Sequence, residues 1–174
     1  MHPEPSGRVL RTGSDTYELS LRRSFPDPPA EIWPSFTDSA LTSRWFGRWS
    51  GTPGIGNTVE LQMLFEEGLP WSSVRIAECV PDRLLRVLVE DEYGSWDLEI
   101  RLQADPPGTL VEFIHHLEDP RAASSVGPGW EYYLDSLLAS RTGSPAPDFA
   151  DYFPGQGPYF EAAADAAAAS PGPG

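Results

Sequence analysis

The imidazole pair His115-His116, followed by carboxylates at 118–119, is where acid–base or metal chemistry would be sought first. Val111, Phe113 and His115 occupy every second position, which predicts a strand. Neighbouring side chains of a strand point to opposite faces. The two histidines therefore cannot enter one metal site without a bulge, and we expect neither a metal nor a cofactor. His115 shares the parity of Phe113, so it is a candidate for orienting a ligand or moving a proton. The alternative is a hydrogen-bonded, half-solvated histidine at the end of a strand.

Other catalytic patterns are not supported by the sequence. The carboxylate groups at 66–67 and 90–92 adjoin glycine, proline or turns, which is typical of solvated loop charges. The chain contains no lysine, so it has no phosphate-binding P-loop, and no serine lies in a Gly-x-Ser-x-Gly elbow. Cys79 is the one cysteine and lies in an apolar stretch, which predicts a buried thiol and excludes an internal disulfide. No catalytic residue is assigned beyond the weak candidate His115.

The composition predicts one acidic globular domain. The 174 residues are 40% hydrophobic and 11% aromatic, enough to build a core. Twenty-six acidic residues against twelve basic ones give a net charge of -14, which repels phosphate backbones and anionic lipid, so we expect no nucleic-acid and no membrane binding. No apolar run is long enough to span a bilayer and residues 1–13 lack the apolar stretch of a signal peptide, so a cytoplasmic location is expected. The alanine, proline, glycine and arginine usage suggests a bacterial source.

The first elements are predicted from alternation and proline chemistry. Residues 1–14 are polar and rich in proline and glycine, and we expect a flexible lead-in. Every second residue from Tyr17 to Phe25 is apolar, which predicts a strand. Asp27 followed by two prolines opens a short helix that Pro34 must kink or end. Asp38 or the next serine caps a second short helix reaching 45–46.

Alternation then predicts five further strands, within 59–65, 74–80, 84–90, 96–102 and 111–115, joined by tight turns and therefore antiparallel. A long helix is predicted from 127–129 to the residue before Gly143. Its apolar residues fall at offsets 0, 3, 4, 7 and 8 from Trp130, which is one helical face. The tail from 144 to 174 is rich in proline, glycine and alanine, and its end is expected to be mobile.

Five stretches carry a resemblance to a known family: 25–33 (FPDPPAEIW), 36–47 (FTDSALTSRWFG), 80–84 (VPDRL), 108–115 (GTLVEFIH) and the helix start at Gly129-Trp130. In order and spacing they resemble the START-like or SRPBCC superfamily, and within it the homologues of the heat-shock-protein ATPase activator. The resemblance implies an α+β helix-grip fold. Its curved antiparallel sheet of about six strands would wrap around a long C-terminal helix, with two short helices after the first strand. The expected domain spans 15–143, between the lead-in 1–14 and the tail 144–174.

The resemblance also implies a cavity between the sheet and the long helix. Its expected lining consists of the inward apolar and aromatic side chains: Trp33, Phe36, Trp45, Phe46, Leu61, Met63, Trp96, Leu98, Phe113, His115, Tyr133 and Leu137.

Three functions remain open at this point. The first is binding of an apolar or amphipathic small molecule in that cavity without catalysis. The second is a chaperone-associated regulator or protein-interaction module that holds a partner through its acidic surface or its tail. The third is a polyketide cyclase or dehydratase in which His115 acts with Tyr133 or Arg101. The residues expected to contact a partner are the tail aromatics Phe149, Tyr152, Phe153, Tyr159 and Phe160.

Overall fold

A computed structural model of the protein describes residues 2–92 and 94–173. Its α+β architecture, with an antiparallel sheet and a long helix towards the C-terminus, confirms the predicted class. The elements are β1 (Arg8–Arg11), β2 (Tyr17–Phe25), α1 (Pro29–Ile32), α2 (Pro34–Thr37), α3 (Ser39–Thr42), β3 (Gly47–Ser50), β4 (Thr58–Met63), β5 (Trp71–Val80), β6 (Leu84–Asp91), β7 (Gly94–Asp105), β8 (Gly108–Leu117), a 3-10 turn (Pro120–Ala122), α4 (Ala123–Thr142), a second 3-10 turn (Phe149–Asp151) and α5 (Gly157–Ala169).

The sheet has eight strands in the order β1-β2-β8-β7-β6-β5-β4-β3. The predicted number of about six is therefore wrong. The two strands that were missed, β1 and β3, have four residues each and lie at the two edges of the sheet. So short a strand shows too few alternations to be recognised without its pairing partner.

The chain divides into two compact units. One is the continuous segment Arg23–Phe113, which holds α1 to α3 and strands β3 to β7. The other consists of the described residues up to Arg22 together with those from Ile114 onward. We refer to them as the continuous unit and the discontinuous unit.

The short helices of the continuous unit are set by proline and aspartate. Helix α1 ends at Ile32 and α2 begins at Pro34, which confirms the predicted break, because a proline nitrogen cannot donate a helical hydrogen bond. The Asp38 carboxylate accepts the backbone N–H of Ala40 at 2.8 Å and caps α3, as predicted. There are three short helices rather than two, and α3 stops at Thr42 instead of reaching 45–46.

In the discontinuous unit, the structure differs from the expected flexible lead-in. Val9 of β1 pairs with Leu19 of β2, and the backbone N–H groups of Ser6 and Gly7 donate to the Glu131 carboxylate at 2.6 and 2.7 Å. The Ser6 hydroxyl donates to the same carboxylate. Because the Glu131 side chain is buried at 1% exposure, its oxygens require hydrogen-bond donors, and the lead-in supplies them.

The long helix α4 begins four residues earlier than predicted, with Pro128 inside it. The Asp119 carboxylate accepts the backbone N–H of Arg121 and caps the 3-10 turn that leads into the helix. The Arg121 guanidinium holds the pKa of Asp119 below its usual range. The end of the helix is as predicted: Gly143 has φ 72°, the left-handed conformation that glycine adopts without strain.

The tail carries an ordered helix, α5, where a mobile end was expected. The Phe160 ring is 0% exposed, and a Cβ placed on Gly7 or Gly127 would lie 2.7 or 2.6 Å from it. Tyr159 donates to the Gly7 carbonyl at 3.0 Å, and Arg11 donates to the Ser170 carbonyl at 2.8 Å. An alanine-rich helix of thirteen residues is marginal alone, so these contacts are what hold it.

Candidate functional site

The first group of predicted site residues forms an aromatic cluster in the continuous unit. Phe36 and Trp45 meet edge to face with ring centroids 5.6 Å apart, and Phe46 lies 5.4 Å from Trp45. The Trp45 indole donates to the Ser35 carbonyl at 2.9 Å, so its polar group is satisfied while the ring is buried. Phe46 and Trp33 keep part of their surface accessible to solvent.

Strands β5, β6 and β7 present nine uncharged side chains on one face of the sheet. The register places three rows side by side, because directly paired residues of antiparallel strands point to the same face. A bulge at Ala77 shifts the pairing by one residue. As a result Cys79 points to the same face as Ile76; in a regular strand it would point to the opposite face. We call this set the apolar face; its rows are Val74–Val89–Trp96, Ile76–Val87–Leu98 and Cys79–Leu85–Ile100.

The apolar face is only partly covered by the rest of the chain. Val74, Val89 and Leu98 are buried at 6–8% exposure. The other six members are half-buried: Ile76, Cys79, Leu85, Val87, Trp96 and Ile100. A contiguous apolar surface that retains access to solvent is a feature of ligand and partner sites rather than of a finished core.

The opposite face of the same strands is charged. Arg86 donates to both oxygens of Asp97, at 2.9 and 2.7 Å, and lies 3.6 Å from Glu78. The hydrogen bond with Asp97 raises the pKa of Arg86 well above its usual range, so the guanidinium group stays protonated. Arg101, a candidate acid–base residue, also lies on this face, 3.0 Å from Glu99 and 3.8 Å from Glu112. It is therefore separated from the apolar face by the thickness of the sheet.

The predicted lining residues of the continuous unit fall into two groups. Trp96 and Leu98 belong to the apolar face. Leu61 is buried at 7% exposure on β4, the strand next to β5. Met63 is half-buried at the end of β4, and Phe113 is buried on β8 at 5%. The aromatic cluster, by contrast, is carried by the short helices and the turn that follows them.

The three remaining candidates, His115, Tyr133 and Leu137, lie in the discontinuous unit. His115 is 5% exposed, and its Nδ1 accepts a hydrogen bond from the Trp130 indole at 3.2 Å. It is thus buried and hydrogen-bonded, not half-solvated, and this geometry places the proton of the neutral ring on Nε2. The Tyr133 ring lies 6.0 Å from that of Trp130, and Leu137 is fully buried one turn further along α4.

Sequence analysis did not identify seven members of the apolar face: Val74, Ile76, Cys79, Leu85, Val87, Val89 and Ile100. Strand β6 reads as apolar almost throughout, so its inward face is ambiguous from composition alone. Arg86 and Glu90 mark the solvated face, and alternation with them would have identified Leu85 and Val87. The bulge that aligns Cys79 has no such signal, because it appears only in the pairing with β6.

The tail aromatics divide by burial. Tyr152 and Phe160 are 2% and 0% exposed, so the chain itself already uses them. Phe149, Phe153 and Tyr159 are 45%, 43% and 42% exposed. Of the five residues expected to contact a partner, only these last three present substantial surface.

Two negative findings apply to residues 2–92 and 94–173. They contain no group of three or more His, Cys, Asp or Glu side chains arranged to hold a metal ion. In the same residues no helix is both long and apolar enough to cross a membrane.

Comparison with solved structures identifies proteins that share this fold. CalU16 from Micromonospora echinospora, in its crystal structure, superposes with a TM-score of 0.73 at 24% identity, over 97% of this chain and 100% of that one. The solution structure of BPP1335 from Bordetella parapertussis gives 0.68 at 19% identity, over 95% and 94% of the two chains. DynU16, a protein of the dynemicin biosynthetic locus, gives 0.65 at 18%, over 76% of this chain and 50% of that one.

The sequence comparison gives the family. None of the curated proteins compared with the chain matches it. The sequence profile of the family described as "Activator of Hsp90 ATPase homolog 1-like protein" matches residues 27–140, which is more than half of the chain. With the fold shared by the solved structures, this match shows that the chain belongs to the Activator of Hsp90 ATPase homolog 1-like family, within the START-like or SRPBCC superfamily.

Proposed function

We propose that the protein binds an apolar or amphipathic small molecule on the apolar face of β5, β6 and β7. The observation that carries the proposal is the partial exposure of six contiguous uncharged side chains in the middle of the sheet. The family resemblance predicts a ligand cavity, and a partly exposed apolar face is the kind of lining that such a cavity requires. No catalytic step is part of the proposal.

The chemistry of the face defines the ligand class. Its nine side chains carry no formal charge, so they favour the uncharged part of a ligand. Each 100 Å² of apolar surface removed from water contributes roughly 2.5 kcal/mol before the cost of association. The net charge of -14 disfavours anionic ligands at long range. Because a similar fold occurs in a protein of the dynemicin biosynthetic locus, biosynthetic small molecules belong in the test set.

The first experiment is native mass spectrometry of gently purified protein, followed by denaturing extraction of any bound molecule. We expect an apolar molecule in stoichiometric amount, or, if the protein is empty, saturable binding of the neutral fluorophore N-phenyl-1-naphthylamine at micromolar concentration. Cys79 supplies a second readout, because the single thiol is half-buried on the apolar face. Ligand binding should slow its alkylation. A protein that carries nothing and binds no apolar probe contradicts the proposal.

Adjacent residues of β6 provide a matched pair of variants. Val87 lies on the apolar face, Leu88 lies on the charged face opposite Asp97, and both are half-buried. We expect Val87→Asn to weaken binding of the fluorophore by about tenfold and Leu88→Asn to change it less than about twofold. Equal weakening by both variants would remove the assignment to this face. Phe113→Asp and Leu137→Asp are less suitable, because both side chains are buried and their replacement tests folding.

A further inference from the structure

Four aromatic rings of the discontinuous unit form a partly exposed cluster. Phe149 and Phe153 stack with centroids 5.9 Å apart and an interplanar angle of 12°. The Tyr132 ring meets Phe149 and Tyr152 edge-on at 5.4 and 5.7 Å. Tyr152 is buried and anchors the group, while the stacked phenylalanines are 45% and 43% exposed. We call Tyr132, Phe149, Tyr152 and Phe153 the aromatic surface.

Carboxylates lie beside the residues of the aromatic surface. Asp148 and Asp151 flank Phe149 in sequence, and Asp135 on α4 accepts the Tyr152 hydroxyl at 2.7 Å. No lysine or arginine follows Arg141, whereas four carboxylates do. The Nδ1 atom of His2 lies 3.2 Å from Asp151, and the His2 side chain is 80% exposed. The exposed rings of Phe149 and Phe153 thus belong to a tail that carries carboxylates and neither lysine nor arginine after Arg141.

From this combination we infer that the aromatic surface binds an arginine-rich peptide segment of a partner protein. A guanidinium group stacks on an aromatic face through its planar cation and pairs with a nearby carboxylate through its fork of N–H donors. Neither interaction is available to an acidic or purely apolar partner to the same degree. The exposure of both phenylalanines favours several side chains spread along a peptide over one small cation, which would call for an enclosed pocket. The inference is independent of ligand binding at the apolar face.

The probe for the test is unlabelled nonaarginine, titrated calorimetrically into the full-length protein, with nonalysine as the charge-matched comparison. Phe149→Ala/Phe153→Ala removes the stacked pair, and Asp148→Asn/Asp151→Asn removes two carboxylates. Phe65→Ala is the matched control, since Phe65 is 44% exposed in the other unit. Circular dichroism verifies that each variant is folded. If the double phenylalanine variant does not fold, the aspartate variant and Phe153→Ala serve in its place.

We expect nonaarginine to bind more tightly than nonalysine, and the phenylalanine and aspartate variants to lose about tenfold in affinity while Phe65→Ala changes it less than about twofold. Equal loss in Phe65→Ala would show that the loss is not specific to the aromatic surface, and equal binding of the two peptides would mean attraction by net charge alone. Either result would overturn the inference. Displacement of nonaarginine by agmatine at similar concentration would assign the surface to a small cation instead. A dimer in sedimentation velocity that is lost in Phe149→Ala/Phe153→Ala would assign it to a second copy of the chain.

Discussion

The Phe160 ring occupies a socket whose two walls are glycines. Gly7 comes from the lead-in and Gly127 from α4, and a Cβ at either position would lie within 2.7 Å of the ring. Contacts this short are not found for real Cβ atoms, so any side chain at these positions forces the ring or the backbone to move. These glycines are therefore required for space rather than for their backbone conformation.

Gly127→Ala is expected to lower the free energy of unfolding by about 1–3 kcal/mol, because the added methyl group collides with Phe160. The control is Gly129→Ala in the same helix, where a Cβ would meet nothing within 4 Å. It should raise the free energy of unfolding by roughly 0.5–1 kcal/mol, since alanine is the better helix former. Urea denaturation measures both. Two variants of equal stability would show that the socket is not tight.

At the scale of elements, helix α5 depends on its contacts for its structure. Thirteen residues rich in alanine are near the limit below which a helix in water is marginal. Phe160 is the one phenylalanine in this helix and is completely buried. Burial of the Phe160 ring should therefore contribute more to the stability of α5 than the helix propensity of all its alanines.

A peptide of residues 157–169 is expected to show little helix by circular dichroism in water, whereas amide exchange in the protein should protect the same segment. Phe160→Ala should cost about 3–5 kcal/mol of stability and release that protection. Tyr159→Phe, which removes only the hydrogen bond to Gly7, should cost about 1 kcal/mol. A strongly helical peptide would show that sequence propensity alone forms α5.

The elements that were predicted correctly are those whose signal is local. Pro34 ends α1, Asp38 caps α3 and Gly143 ends α4, and each acts on neighbours within four residues. The elements that were missed depend on partners beyond that range: β1 and β3 pair with residues six to sixteen positions away, and Phe160 of α5 packs against Gly7 and Gly127. The same difference applies to the site. Local alternation was enough to assign Trp96 and Leu98, whereas the orientation of Cys79 depends on the bulge in β5, which is defined by pairing with β6.

At the scale of the whole molecule, the excess of carboxylates is not compensated by ion pairing. Arg86 and Arg121 are paired with Asp97 and Asp119, yet twelve basic residues cannot neutralise twenty-six acidic ones. The remaining repulsion opposes the compact state and acts through solvent, where salt screens it.

Raising sodium chloride from about 10 mM to about 150 mM is accordingly expected to raise the Tm by a few degrees, because the Debye length falls from roughly 30 to 8 Å. Differential scanning calorimetry measures the shift. Potassium chloride serves as the control and should give the same result at equal ionic strength, as screening does not distinguish the cations. A Tm that falls or does not change would show that local pairing outweighs the net charge.

The buried Glu131 and the Phe160 socket have a consequence for synthesis on the ribosome. Ser6 and Gly7 are synthesised long before Glu131 and Phe160, because these partners lie 124 or more positions later in the chain. The segment Arg23–Phe113, by contrast, is complete well before α4 is made. The lead-in can pair with β2 early, but its contacts with Glu131 and Phe160 must wait while the middle of the chain acquires its strands. The discontinuous unit can close only after α4 and α5 have been synthesised.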